Sequence, residues 1–321
     1  MDRRRFVAGL CTLVVPFAAA AQARLYRIGV IHRGGPYTAA IDGLRDGLKD
    51  LKLAEGKQYV LHVRAVSSDL KGVEAAASAL ELEKVDLIYA VGTTTTIAVK
   101  RATKTVPIVF YAGADPVKHG LIKNFAKPGE RLTGVHSRFA ELNAKRMELL
   151  KALIPSLKRV VVFYNPGNPV AAASVKQVRD AGKQLNVELI EREVKTVEEL
   201  RIGLQAFKLG EADAVLIPAD GMVISQAEMV INAALAKKMP TMLSEGTSID
   251  KGGFASYAVS YYTCGRLAAK YVEKIVKGAN PGDLPIEQVD TPHFAVNLKV
   301  ADALGLKISQ AVLARADQVI R

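Results

Sequence analysis

Gly92 followed by Thr93, Thr94, Thr95 and Thr96 is the stretch whose residue types and spacing best suit the capture of an anion. Hydroxyls at the start of a helix add side-chain donors to backbone N–H groups that lack an intrahelical acceptor, at the positive end of the helix dipole. A ligand carboxylate fits such a place, and ordinary N-capping by one threonine is the competing reading. Asp115, Asp220 and Glu245 are candidate acceptors for an ammonium or hydroxyl group. The plainer alternatives are that Asp115, before Pro116, caps a helix, and that Asp220, before Gly221, makes a turn. Tyr37, Tyr164 and Tyr257 offer faces for stacking on a flat solute, although Tyr164 closes an apolar run and reads equally well as core. Gly34 and Asn165 lie in short loops where a small or polar residue lets the backbone approach a ligand.

Catalytic signatures are missing. The chain has no G-x-G-x-x-G, G-x-x-x-x-G-K-[ST], G-x-S-x-G, H-E-x-x-H or C-x-x-C. Its five histidines, at 32, 62, 119, 136 and 293, have no metal-ligand spacing. A binding protein without metal, cofactor or catalysis is therefore expected, with an exported two-lobed enzyme as a minor alternative.

The candidate residues share one property, their place at the ends of apolar runs. Runs suited to strands buried on both faces alternate with helical periodicity, beginning with Tyr26–His32, a helix carrying Ile41, Leu44, Leu48 and Leu51 on one face, and Tyr59–Val66. The alternation continues with a helix near 72–83, strand Asp86–Val91, a helix near 95–104 and strand Pro107–Tyr111. A second series runs through Arg159–Tyr164, a helix capped by Asn168 with Pro169 at its first position, Val187–Glu193, helix 197–208, Asp213–Pro218, helix 223–237 and Pro240–Leu243. Strand, helix and strand near Phe254–Val259, 262–277 and Phe294–Asn297 follow.

The two series repeat. Arg27-Ile28-Gly29-Val30 matches Arg159-Val160-Val161-Val162, Asp86-Leu87-Ile88-Tyr89 matches Asp213-Ala214-Val215-Leu216, and Val106-Pro107-Ile108-Val109 matches Met239-Pro240-Thr241-Met242, at offsets of 132, 127 and 133 residues. Near-constant spacing across three strands predicts an α/β chain of two doubly wound Rossmann-like lobes. In open parallel sheets ligands bind beyond the carboxyl ends of the strands, which is where the polar loops fall.

The 321 residues carry 44 Lys and Arg against 32 Asp and Glu, with the basic residues dispersed, no tryptophan and no basic-aromatic interleaving, so no nucleic-acid partner is expected. The N-terminus reads as an address. Arg3-Arg4-Arg5 precedes an apolar stretch from Phe6 that ends in Ala21-Gln22-Ala23, predicting a signal peptide over 1–23, cleavage after Ala23 and a periplasmic protein. The arginines leave both the general secretory and the twin-arginine routes open. Beyond this stretch no run is long enough to span a bilayer, so no direct membrane insertion is expected, and Cys264 should be an unreactive helix residue.

The order and spacing of several segments resemble the type 1 periplasmic solute-binding proteins of ATP-driven (ABC) importers, in the tryptophan/tyrosine-binding-like branch. They are Pro107-Ile108-Val109-Phe110 leading to Asp115-Pro116-Val117, Leu132-Thr133-Gly134-Val135, Tyr164-Asn165-Pro166-Gly167-Asn168, Pro218-Ala219-Asp220 and Gly252-Gly253-Phe254-Ala255-Ser256-Tyr257, followed by Tyr261-Tyr262, Gly265-Arg266, Ile275-Val276-Lys277-Gly278, Leu284-Pro285 and Val296-Asn297-Leu298. The resemblance implies two lobes joined by hinge strands, with Asp115, Asn165 and Asp220 around the cleft.

The resulting expectation is an N-terminal lobe of 24–137 plus 260–290 and a C-terminal lobe of 138–259 plus 291–321, hinged near 135–140, 255–261 and 288–294. The lobes close on a small solute, an amino acid (aromatic or branched) or another small carboxylate. Gly34, Tyr37, Thr93–Thr95 and Asp115 hold it from the first lobe, and Asn165, Asp220, Glu245 and Tyr257 from the second. The expected partner is a membrane permease that meets a monomer; a receptor kinase or chemoreceptor is the alternative recipient of the signal.

Overall fold

The computed structural model describes residues 24–67 and 69–321. The expected signal peptide and its cleavage after Ala23 lie outside the described residues.

Along the chain, β1 (Tyr26–His32), α1 (Thr38–Asp50), β2 (Tyr59–Ala65), α2 (Leu70–Leu82), β3 (Leu87–Val91), α3 (Thr93–Ala102), β4 (Ile108–Ala112) and β5 (Leu132–Ser137) alternate as the apolar runs predict. After a 3-10 turn (Phe139–Leu142) come α4 (Asn143–Leu153), β6 (Arg159–Tyr164), α5 (Pro169–Gln184), β7 (Glu188–Glu193), α6 (Val197–Ala206), β8 (Ala214–Leu216), α7 (Gly221–Ser225), α8 (Ala227–Ala236), β9 (Thr241–Leu243) and β10 (Ala255–Ala258). Then follow α9 (Tyr261–Val276), β11 (Glu287–Val289), β12 (His293–Asn297), α10 (Leu298–Ala303), α11 (Gln310–Leu313) and β13 (Gln318–Ile320).

These strands build a six-stranded sheet in the order β11-β5-β4-β3-β1-β2 and a seven-stranded sheet in the order β13-β12-β10-β9-β8-β6-β7. The first is parallel throughout, and the second is parallel except where β10 meets β12. Both faces of the second sheet are buried: Val161 and Phe163 of β6 enter one core, Val160, Val162 and Tyr164 another. Residues alternate sides along a strand, so an unbroken apolar run serves two layers of helices.

The internal repeat is visible as chemistry. The Asp86 carboxylate accepts from the Arg27 N–H at 2.7 Å, tying the entry of β3 to that of β1. Asp213 does the same for the entries of β8 and β6, accepting from Lys158 N and Arg159 N, both at 2.8 Å.

The chain passes between sheets three times: after β5, between β10 and α9, and between β11 and β12. Helix α9 returns to the first sheet because glycines let it lie directly on α1. A Cβ on Gly265 would stand 2.0 Å from the Ala40 carbonyl oxygen, and one on Gly43 2.0 Å from that of Tyr262. The Tyr262 hydroxyl donates to Asp46 at 2.7 Å, and Arg266 pairs with Asp50.

One element corrects the sequence reading. The expected helix 223–237 is two helices, broken at Gln226, whose φ of −109° leaves the helical range. Ser225 Oγ donates back to the Met222 carbonyl at 2.6 Å at that break. The break seats the Ser225 carbonyl against Gly35 of the other lobe, where a Cβ would be only 2.4 Å away.

Candidate functional site

The carboxyl ends of the two sheets face each other across a narrow cavity. Arg33, Tyr37, Gly92, Thr93, Thr94, Thr95, Tyr111, Gly113 and Tyr261 line it from the first sheet's side, and Asn168, Val170, Ala219, Gly221 and Ile224 from the second, with Phe139 at the first crossing. The space left between them is about 30 Å³, room for a water or two. Aromatic rings take up the rest. Tyr37 stacks on Tyr261 at 4.9 Å between centroids, Tyr111 meets Tyr261 edge-on at 5.6 Å, and Phe139 lies 6.2 Å from it at a 27° interplanar angle.

Helix α3 presents its N-terminus to this cavity. Its N-cap is Gly92 at φ 104°, a left-handed value that suits glycine, and no side chain caps the first turn. Thr93 Oγ1 accepts from Ala114 N at 3.0 Å and Thr96 Oγ1 donates to the Gly92 carbonyl at 2.8 Å. Thr95 is fully buried and its hydroxyl has no hydrogen-bond partner. The arrangement therefore presents first-turn N–H groups and one uncommitted hydroxyl, a donor set suited to a carboxylate.

Arg33 lines both the cavity and an adjoining mouth of about 80 Å³, which it shares with Asp69, Thr94, Asn165, Asn168, Lys195 and Asp220. Burial lowers its pKa, while Tyr37, Asp220 and Asp69 act in the opposite direction. The second lobe thus sets a carboxylate within electrostatic reach of the first lobe's guanidinium.

The other residues singled out in the sequence take different places. Asp220 is completely buried and caps α7, accepting from Met222 N (2.8 Å), Val223 N (3.3 Å) and Asn165 N (2.8 Å). Asn165 in turn accepts from Gly167 N at 2.9 Å, so this pair shapes the mouth through its own bonds. Asp115 is half-buried, accepts from Val117 N and Lys118 N, and does not line the cavity. Gly34 (φ 80°) turns the chain after β1, donating to His32 Nδ1, and stands beside the cavity instead of in its wall. Tyr257 packs on the second sheet's core, on the same side of β10 as Ala255, and does not reach the cavity. Tyr164 donates to Glu191 at 3.1 Å, away from it.

Glu245 is buried and does not line the cavity, but it lies within electrostatic reach of Tyr37 and Tyr261. One carboxylate oxygen accepts from Thr247 N (2.6 Å) and Ser248 N (3.1 Å), and the other has no partner. Burial raises its pKa, against the lowering effect of those donors. Desolvation also raises the phenols of Tyr37 and Tyr261, so both are neutral donors at physiological pH. Cys264 is fully buried, with its thiol pushed up to about 12, and is inert. Among the described residues no group of three or more His, Cys, Asp or Glu is placed to hold a metal, and no helix is long and apolar enough to cross a membrane.

Sequence reasoning missed Arg33, Tyr111, Phe139 and Tyr261 as wall residues. Position at a strand end was a signal for Arg33 and Tyr111. For Phe139 and Tyr261 the signal is adjacency to a crossing between lobes, which only the topology reveals.

Two doubly wound lobes joined by three crossings, with a cavity between the strand ends, define the type 1 periplasmic-binding-protein fold. Residues 28–320 match the family model for ABC transporter substrate binding proteins, and the chain belongs to that family. It is 28% identical over 265 residues to a tyrosine-binding protein of Clostridioides difficile (strain R20291), covering 83% of this chain and 76% of the relative. Among solved structures, the ABC domain from Streptococcus pneumonia in complex with L-Trp has 24% identity and a TM-score of 0.81, over 92% of this chain and all of that one. A ligand-free, open substrate-binding protein with adhesive properties from Clostridium difficile has 25% identity and a TM-score of 0.60, over 92% and 99% of the two chains.

Proposed function

We propose that this chain is the extracytoplasmic, periplasmic solute-binding subunit of an ABC importer, that it closes on an aromatic amino acid, and that it delivers the solute to a membrane permease as a monomer. The observation that carries the reading is the pairing, in one cavity, of the uncapped α3 N-terminus with a wall of Tyr37, Tyr111, Phe139 and Tyr261. The solute carboxylate sits on the N–H groups and hydroxyls of Thr93–Thr95, with Arg33 adding positive charge. Its ring enters among the aromatic side chains once they move apart, since the cavity as it stands holds only a water or two. Glu245 is the acceptor within reach for an ammonium once the rings shift, because one of its oxygens is uncommitted. Asp220 and Asn165 hold the second lobe's edge in shape, with Gly34 and Asp115 at the rim of the first.

Closure follows from the same geometry. A solute touching both lobes binds the closed form better than the open one and shifts the population by that difference. Support for a closed arrangement here comes from Gly35 lying against Ser225 and from the stronger likeness to the L-Trp complex than to the open, ligand-free neighbour, at similar identity.

A thermal-shift panel of amino acids, small carboxylates, nucleosides and sugars tests the solute class. At about 100 times Kd the bound form gains roughly 2.7 kcal/mol, which for a chain of this size raises the melting temperature by several degrees. A response to L-tyrosine or L-tryptophan supports the reading, whereas a response confined to sugars or nucleosides overturns it.

A further inference from the structure

The cavity does not account for Arg146. This residue of α4 is completely buried, and its hydrogen-bond acceptors are neutral: the Asn143 side-chain oxygen at 2.8 Å and the carbonyls of Tyr257 (2.9 Å), Phe139 (3.2 Å) and Ser244 (3.3 Å). A guanidinium withdrawn from water without a carboxylate is costly, and burial pulls its pKa down to about 9. Filling space or bonding three carbonyls would not require a cation.

The position of its acceptors suggests a role. Phe139 lies in the first crossing between the lobes, and Tyr257 lies two residues before the second. One planar fork therefore ties the second-lobe ends of two crossings to one helix. The guanidinium also stands over the Phe139 ring, 4.6 Å from its centroid. Phe139 meets Tyr261, the first residue of α9, and Tyr261 stacks on Tyr37. Arg146, Phe139, Tyr261 and Tyr37 thus form a column from the interior of the second lobe to the cavity wall of the first. The lobe boundary falls between Phe139 and Tyr261.

We propose that Arg146 is a positioning residue that holds Phe139 and two crossings as one unit, so that contacts made by a solute at Tyr37 and Tyr261 reach the hinge and favour the closed arrangement. The proposal rests on the reading that the lobes close on a solute. It locates the bending at residues 138, 259–260 and 290–292, outside the segments the guanidinium holds, so the cation–π contact persists on opening and presents the Phe139 ring to Tyr261, the contact that belongs to the closed state.

The test is a spin-label distance between Lys71→Cys and Lys176→Cys, one on each lobe, in a Cys11→Ser background; the buried Cys264 thiol stays unlabelled. Distances are recorded without ligand and with saturating L-tyrosine, for wild type, Arg146→Lys and Phe139→Leu. Arg146→Lys keeps the charge and loses the fork; Phe139→Leu keeps apolar bulk and removes the ring. The expected result in folded protein is a ligand-free distribution about twofold broader and shifted to longer distances in both variants, with L-tyrosine affinity about tenfold weaker. The double variant should lose no more than the stronger single one, because both act through the same contact. Unchanged distances in the folded variants, with loss confined to the melting temperature, would overturn the proposal and leave Arg146 a structural residue. If Arg146→Lys does not fold, Phe139→Leu decides. If L-tyrosine leaves the wild-type distance unmoved, the solute reading fails, while the ligand-free comparison still judges Arg146.

Discussion

Tyr37 stacks on Tyr261 with 4.9 Å between ring centroids and 23° between their planes, although one ends the turn after β1 and the other opens α9. The stack joins the first-lobe strand end to the second crossing, so the cavity wall and the hinge share a side chain. Tyr261→Ala is expected to cost about 3–5 kcal/mol of stability, as truncation of a buried aromatic does, and to weaken L-tyrosine binding by tenfold or more. Tyr261→Phe, which keeps the stack, should bind within about threefold of wild type. Chemical denaturation and calorimetric titration measure the two effects separately.

Thr95 separates binding from folding. Its hydroxyl is fully buried with no partner. Valine has nearly the same shape and no unsatisfied group, so Thr95→Val should leave stability unchanged or raise it by about 1 kcal/mol. If the hydroxyl holds the solute carboxylate, affinity should fall about tenfold or more, since a hydrogen bond to a charged group contributes about 1.5–3 kcal/mol. Equal affinity for the two proteins would remove Thr95 from the site.

Asp220 and Asp115 look alike in the sequence but should behave differently. Asp220 is fully buried with three backbone donors, so Asp220→Ala is expected to destabilise by about 2–4 kcal/mol. Asp115 caps two N–H groups at a half-exposed site, and Asp115→Ala should cost about 0.5–1 kcal/mol. Urea midpoints compare them, and similar losses would contradict the placement.

Glu245 makes stability depend on pH. Burial raises its folded-state pKa above the ordinary 4.5, so the folded chain binds this proton more tightly than the unfolded one. The group therefore favours folding below its unfolded value and becomes a penalty as pH rises through the raised one. Glu245→Gln keeps an acceptor for Thr247 and Ser248 and cannot ionise. Its stability relative to wild type should increase as pH rises above the ordinary value of 4.5, read as the difference in urea midpoints. A difference that does not change with pH would show that Glu245 is not held in a raised state.

Much of the fold is legible because the signals are local. Unbroken apolar runs mark strands buried on both faces, and β1 spans Tyr26–His32 as expected. Asn168 and Pro169 start α5 through a cap bond that requires no tertiary partner. Asp86 and Asp213 repeat in the sequence because each ties two strand entries in its own sheet. What the sequence hides is set by distant contact. Gly43 and Gly265 look like ordinary weak helix residues until α1 and α9 meet. Tyr257 and Tyr261 both follow a glycine-rich turn, yet the strand holding Tyr257 ends at Ala258, so one ring faces the second core and the other the cavity. The break between α7 and α8 likewise depends on the opposite lobe, through Gly35 and Ser225.

Closure on an aromatic amino acid is tested by calorimetric titration of the ligand-free protein, obtained by unfolding and refolding, with L-tyrosine and L-tryptophan and with leucine and ribose as comparisons. One-to-one binding of an aromatic amino acid is expected, with a negative heat-capacity change from burying its ring and an affinity at least tenfold above leucine. Binding of ribose or leucine with equal or greater affinity, or no heat with either aromatic amino acid, would contradict it.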